Sequence, residues 1–301
     1  MKKNKSREEF SVNSKDLQTR FESTLNSFGL ETAWIEKKTI KDGKSDRTHP
    51  SYKITLPNDL SIPEVLLEIY GEFGKDSLVI ESEEKSAGGK SFLTLKENNL
   101  TRLTAEFNYG KNVKRERGDL AFIIRNIELD NIDDSLLVET ADKFNVMFTP
   151  SEENLSYLPY IVENRKSYSV IIGDEISESN YKLDASYSLL RISNVIKALS
   201  VDFANASFFI IDENFDFYNS DKFKYFNTEL EKRGINLYKL SDFILFDNKG
   251  SISENFNRLV KDLRKGELKI LVLSKNDYLQ LKPEISLYKK AGVRIINISE
   301  I

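Results

Sequence analysis

The chain has 301 residues, 40% of them hydrophobic and 31% charged, which is enough apolar material for a globular protein and a length that suits two domains. With 44 basic against 48 acidic residues the net charge is -4, so no global positive field draws the chain to nucleic acid or anionic lipid. The absence of cysteine excludes disulfides, thiolate metal sites and a cysteine nucleophile.

The amino terminus, "MKKNKSREEFSVNSK", is basic but has no apolar core behind it, so residues 1–13 read as a solvated tail rather than a signal peptide. Leu17, Phe21, Leu25 and Phe28 then recur at helical spacing, with Ser14 as cap and Gly29 as stop. Alternating residues in "TAWIEKKTI" and "SYKITLP" predict strands, and between them lies the polar stretch holding His49, the single histidine. Followed by proline, His49 reads as a surface loop residue, so neither a standard catalytic triad nor a multi-histidine zinc site is assembled. "SIPEVLLEIYGEF" predicts a second amphipathic helix with Pro63 in its first turn, and "SLVIES", "KSFLTLKE" and "TRLTAEFNYG" predict three more strands. The order predicts an α+β domain over residues 14–110, with helices on one face of an antiparallel sheet.

Residues 111–117 read as a charged, solvated linker that carries Lys111, Lys114, Arg115 and Arg117. Beyond it, over 118–301, the periodicity changes. Short apolar runs ("LAFIIRN", "FNVMFTP", "YSVIIGDE", "SFFIIDEN", "FILFDN", "LKILVLSKND", "VRIINIS") alternate with helical stretches ("SLLVETADKF", "SLLRISNVIKAL", "FKYFNTELEKRG", "ENFNRLVKDLRKG", "LQLKPEISLYKKAG"), several ending on glycine after a basic residue, at Gly234, Gly266 and Gly292. Strands buried on both faces and separated by helices imply an α/β domain with a mostly parallel sheet or barrel.

In such a sheet the residues just past each strand share one rim, where ligands collect. They are Arg125 and Asn126; Thr149; Gly173, Asp174 and Glu175; Asp212 and Glu213; Asp247 and Asn248; Ser274 and Lys275. Asp174, Glu175, Asp212, Glu213 and Asp247 together suit a hard cation or acid/base work, although acidic residues after strands also serve as helix caps and turn formers. No G-x-G-x-x-G, Walker or G-x-S-x-G sequence is present, and no stretch approaches the ~20 apolar residues of a membrane helix. Phe215, Phe217, Tyr218 and Tyr225 are placed in the core under the rim, with stacking on a sugar or peptide as the rival role.

Residues 118–301 resemble the divergent polysaccharide deacetylases, the YibQ-like relatives of NodB-type enzymes. The likeness is carried by "LAFIIRN", by "FNVMFTP", and above all by "GINLYKLSDFILFDNKGSISENFNRLVKDLRKGELKILVLS". It implies a distorted (β/α) barrel of the polysaccharide deacetylase type, beside the smaller α+β domain. In that family aspartate and histidines hold a metal that activates water. Here Arg125-Asn126 replace the Asp-Asp pair, Gly173 replaces a motif histidine, residues 176–190 carry no Asn-His, and the closing Gly-His-Pro falls on Leu273, Ser274 and Lys275. Only Asp212 and Asp247 keep the acidic character.

The resemblance therefore implies a degenerate deacetylase: no catalytic residue, no cofactor and no metal, with Arg125, Asn126, Asp174, Glu175, Asp212, Asp247 and Ser274 as a vestigial or binding site. Its expected partner is a glycan or an envelope protein, and not nucleic acid. Taken literally the sequence is cytoplasmic; the family places it in the bacterial periplasm or envelope. The competing reading is a hydrolase of altered chemistry using a carboxylate-only metal site. Arg125, at the end of a buried strand, is expected to pair with Asp174 or Asp212.

Overall fold

The computed structural model describes residues 13–41, 47–85, 89–115, 117–246 and 250–300. The chain divides into two compact units, Met1–Glu116 with Leu287–Gly292, and Arg117–Ser286 with Val293–Ile301.

The first unit runs α1 (Ser14–Ser27), β1 (Ile35–Lys41), β2 (Thr48–Leu56), α2 (Ile62–Phe73), β3 (Val79–Glu84), β4 (Ser91–Glu97) and β5 (Leu100–Tyr109). Its five-stranded sheet has the order β1-β2-β5-β4-β3. The sheet is mixed rather than antiparallel, because β2 and β5 pair in parallel. The reason is topological: after β2 the chain crosses over through α2 and returns by the β3–β4–β5 meander, which leaves β5 running beside β2 in the same direction. The β4–β5 turn is two residues, Asn98 and Asn99, both at positive φ (50° and 60°), as a primed hairpin turn requires. Leu17, Phe21 and Leu25 of α1 and Val65, Ile69 and Phe73 of α2 meet Tyr52, Ile54, Leu56, Leu93, Leu95, Leu103 and Phe107 in one core. Both helices thus bury a 3.6-period stripe against the period-2 face of the sheet.

Three readings need correction here. Asn13, not Ser14, caps α1, its Oδ1 accepting from Lys15 N. His49 lies in β2, not in an exposed loop; it sits opposite Ile40 and is 6% exposed. The strand starts earlier than Pro50 advertises because β5 pairs with β2 only from Ser51 onward, so at Pro50 no ladder bond to β5 is lost. Arg115 is not a solvated linker residue either: Nε and Nη2 bond the Asp59 carboxylate at 3.0 and 2.8 Å, and Nη1 bonds the Phe28 carbonyl.

The second unit runs β6 (Asp119–Arg125), α3 (Ile132–Glu139), β7 (Asn145–Phe148), α4 (Glu152–Glu163), β8 (Ser167–Ile172), α5 (Leu189–Asp202), β9 (Phe209–Ile211), α6 (Phe223–Glu231), β10 (Leu237–Lys239), β11 (Ile244–Leu245), α7 (Ile252–Lys261), β12 (Leu268–Ser274), α8 (Lys275–Lys290) and β13 (Arg294–Ile295). Every strand pair is parallel, in the order β10-β9-β8-β7-β6-β12-β11. An open doubly wound sheet reverses direction at a switch point. Here β6 to β10 each neighbour the next in sequence, β11 neighbours β12, and β12 returns to β6, so the order is cyclic, as in a barrel; the short β13 also lies beside β6. Among the described residues no ladder joins β10 to β11.

At that seam the crossover helix is replaced by a single tight turn, Leu240–Asp242, and side chains fill the gap: Phe243 stacks on Phe208 at 5.7 Å and meets Tyr238 edge-on at 6.0 Å. The barrel interior is filled by Ala121, Ile123, Phe208, Ile210, Phe243, Val272 and Ile298. The intervening residues face the helices, where Phe122 packs against Tyr278 and Phe256. The architecture is α/β: a mixed five-stranded sheet with two helices, and a parallel, incomplete barrel clothed in helices.

Candidate functional site

Strand alternation decides which side chains enter the barrel mouth. Ala121 and Ile123 point inward, so Arg125 is the next inward residue on β6. By the same parity Met147, Ile171, Ile210 and Val272 lead to Thr149, Gly173, Asp212 and Ser274. The all-parallel sheet brings these to one end of the barrel. Arg125 lies directly across from Ser274 in the β6–β12 ladder. Gly173 is followed on the neighbouring strand by Asp212; a Cβ at Gly173 would stand 3.9 Å from Asp212 Cβ. Asp174 and Glu175 lie beyond the end of β8, exposed. Asp247 and Asn248 lie outside the described residues.

At the rim the turn-forming role that the sequence allowed for its acids is the one Asp212 takes, whereas Arg125 does not pair as expected. Asn126 adopts a left-handed conformation (φ 63°), which asparagine tolerates and which stops β6 abruptly after Arg125. Arg125 is exposed and forms no ion pair with a described residue. The expected pair with Asp174 or Asp212 is therefore not formed. Physically none is required, because a guanidinium in the open mouth keeps its hydration. Asp212 is turned into its own loop instead, Oδ1 accepting from Asn214 N at 2.9 Å and Asn214 Nδ2 at 3.0 Å.

Glu213 reaches across to the seam, where it accepts from the hydroxyl and the backbone N–H of Ser241. Desolvation pushes the Glu213 carboxyl up, but the two Ser241 bonds outweigh it and hold the group below its ordinary value of 4.5. Ser274 is a helix cap: its Oγ accepts from Asp277 N and donates to Asp277 Oδ2 at 2.7 Å, which starts α8 directly after β12.

The paired cation at this end of the barrel is Lys275. Its Nζ donates to Asp134 Oδ1, and Asp134, at 0% exposure, also accepts from Glu128 N at 2.8 Å. One carboxylate thus ties the loop after β6 to the start of α8. The sequence contained a signal for this pair, since a lysine at a helix start opposes the macrodipole and so requires a local reason. Nearby, Tyr157 donates to Asp130 Oδ1 at 2.6 Å, which pushes the phenol up to about 12. Of the aromatics, Phe215 and Phe217 are buried, with Phe217 edge-on to Phe226 at 5.5 Å, whereas Tyr218 and Tyr225 are half-buried.

A metal ion of the deacetylase kind does not fit these residues. Among the described residues no three His, Cys, Asp or Glu side chains converge to hold one. The chain's one histidine belongs to the other unit. At the mouth the inward position on β6 carries a fixed positive charge, which opposes a second cation.

No family model matches the chain, and no curated protein matches it. Among solved structures it is similar to the wild-type CE4 family pseudoenzyme BA3943 from Bacillus anthracis, at 11% identity and a TM-score of 0.41, over 64% of this chain and 66% of that one. It therefore spans just under two thirds of that protein. It is similar also to a BA3943 mutant described as having restored enzymatic activity (9% identity, TM-score 0.41, 70% of this chain and 86% of that one) and to a further BA3943 mutant (9% identity, TM-score 0.41, 70% and 85%).

Proposed function

We propose that this chain is a catalytically inactive polysaccharide-deacetylase-like protein of the YibQ-like group, which acts as a binding or scaffolding module for a glycan or an envelope protein. The observation that carries the reading is Arg125: an exposed guanidinium at the inward position of β6, directly across from a serine committed to capping a helix. A hydrolase that activates water needs a metal or a base at that place. A module that only binds is served by a hydrogen-bonding fork, which stands between Ser274 on β12 and the end of β7 that leads to Thr149.

The test uses a tetramer of N-acetylglucosamine with the full chain. Acetate release is followed enzymatically, and binding by saturation-transfer NMR. The reading expects saturation transfer that Arg125→Ala removes, and no acetate above the buffer blank. Acetate release that survives purification and is lost in Asp212→Ala would contradict it. If the oligosaccharide shows no transfer, the glycan half of the reading fails and the protein-binding half is left.

A further inference from the structure

We propose that copies of this chain associate head to tail through the two edges of the N-terminal sheet, β1 of one copy adding to β3 of the next. Both edge strands are long and open. From Glu36 to Lys41 every residue of β1 is exposed, and on β3 only Ile80 is partly buried. Among the described residues each has a strand partner on one side only, so a row of backbone N–H and C=O groups on the other side faces water.

The directions fit. β1 is antiparallel to β2, β2 parallel to β5, and β4 and β3 each antiparallel to the strand before, so β1 and β3 of one sheet run oppositely. A second copy placed beside the first in the same orientation therefore offers its β1 antiparallel to β3, the favourable arrangement for strand addition.

The charges fix the register. Glu36-Lys37-Lys38 on one edge read against Glu83-Glu84-Lys85 on the other as Glu36–Lys85, Lys37–Glu84 and Lys38–Glu83. This alignment also keeps the faces of the sheet. Ile35 and Ile80 pack on the core, so Lys37, Thr39 and Lys41 share a face with Ile80, Ser82 and Glu84, while Glu36 and Lys38 share the other with Glu83 and Lys85. A slip of two residues brings Glu36 against Glu83 in one direction, or Lys38 against Lys85 in the other. Pairing like with like gathers Glu81, Glu83 and Glu84 at one junction, or Lys37, Lys38 and Lys41 at the other, and like charges across strands repel. The pattern thus rejects a symmetric dimer and admits a heterologous contact, which propagates.

A groove of about 550 Å³ lies beside the end of β3, lined by Ile62, Leu66, Ser82, Glu83, Glu84 and Tyr109 among others. In the stated register it receives Lys37 and Thr39 of the incoming strand, opposite Glu84 and Ser82. Within the chain Lys37 pairs with Glu22 and lies over the Tyr52 ring, Lys38 pairs with Glu36, Lys96 with Glu81, Lys85 lies over the Phe92 ring, and Glu84 has a partner of its own; the ion pairs are at the surface, where such pairs hold their partners weakly.

The experiment is sedimentation velocity of the full chain over ~1–300 µM, at ~25 mM and ~500 mM salt, a range over which the Debye length falls several-fold. The expected result is a sedimentation coefficient that climbs with concentration past the dimer value, and climbs less in high salt. Lys37→Glu/Lys38→Glu and Glu83→Lys/Glu84→Lys each weaken the association about tenfold or more, and the fourfold variant restores it. Lys37→Gln/Lys38→Gln, the milder neutralisation, weakens it in the same direction and serves if a reversal unfolds the domain. A monomer throughout the range at low salt, a plateau at dimer, or a fourfold variant no better than either double variant overturns the proposal.

Discussion

Replacing Asp134 by alanine is the perturbation that separates the structural account from the expectation raised by the sequence. Asp134 is fully buried and its two oxygens hold Lys275 Nζ and Glu128 N–H, whereas the Lys275 side chain keeps 20% of its exposure. Breaking a buried ion pair costs about 3–5 kcal/mol, and the partial exposure of Lys275 argues for the lower end. An orphaned N–H adds about 1 kcal/mol. The expected loss is about 4 kcal/mol, a fall in Tm of about 8–16 °C at ~2–4 °C per kcal/mol for a unit of this size. Asp134→Asn, which keeps an acceptor for Glu128 N–H and removes the charge, should fall between alanine and wild type. Arg125→Ala should stay within about 0.5 kcal/mol of wild type, because its guanidinium is solvated. The assay is thermal unfolding by calorimetry, with urea denaturation of the same variants as a check. An Asp134→Ala protein within 1 kcal/mol of wild type, or an Arg125→Ala protein as damaged as Asp134→Ala, would refute the assignment of the rim's structural cation to Lys275.

Ser274→Ala should cost about 1 kcal/mol through loss of the α8 cap, and Ser274→Asp should recover most of it, as urea midpoints will show. Glu213, whose folded value is depressed below 4.5, contributes stability that is present above its unfolded value and lost as pH falls through the folded one; the destabilisation by Glu213→Gln at pH 7 should shrink as the carboxylate is protonated in acid. An equal effect at pH 7 and in acid would mean that the Ser241 bonds do not depend on charge. Limited trypsin digestion should cut first between Lys111 and Arg117, where Lys111, Lys114 and Arg117 are exposed, and mass spectrometry of the first fragments reads the site.

The strands β6, β7, β8 and β12 were legible because buried parallel strands are nearly continuous apolar runs, and α1, α2 and α5 because their apolar residues keep a 3.6-residue period. β10 was missed: it is three residues long and rests on a single parallel partner, β9. α4 was missed: only Leu158 and Ile161 of its twelve residues are buried, so its apolar stripe is short, although Ser151 caps it. The parallel β2–β5 pair was illegible, since local alternation says nothing about which strands become neighbours. Which residues share the rim followed from the strand order, and their composition from simple reading. The turn-forming role of Asp212 was open in the sequence, but those of Ser274 and Lys275 did not follow, because one found its partner in the helix it caps and the other on α3, contacts that strand-end position alone does not specify.

The proposal that the barrel mouth carries out no metal-dependent chemistry is tested most directly by calorimetric titration of the full chain with Zn²⁺ and Mn²⁺ near neutral pH. The account predicts no stoichiometric heat with either ion, and the same trace for Asp212→Ala and Asp174→Ala as for wild type. One equivalent bound at micromolar or tighter affinity, unchanged in His49→Ala and abolished in Asp212→Ala, would contradict it.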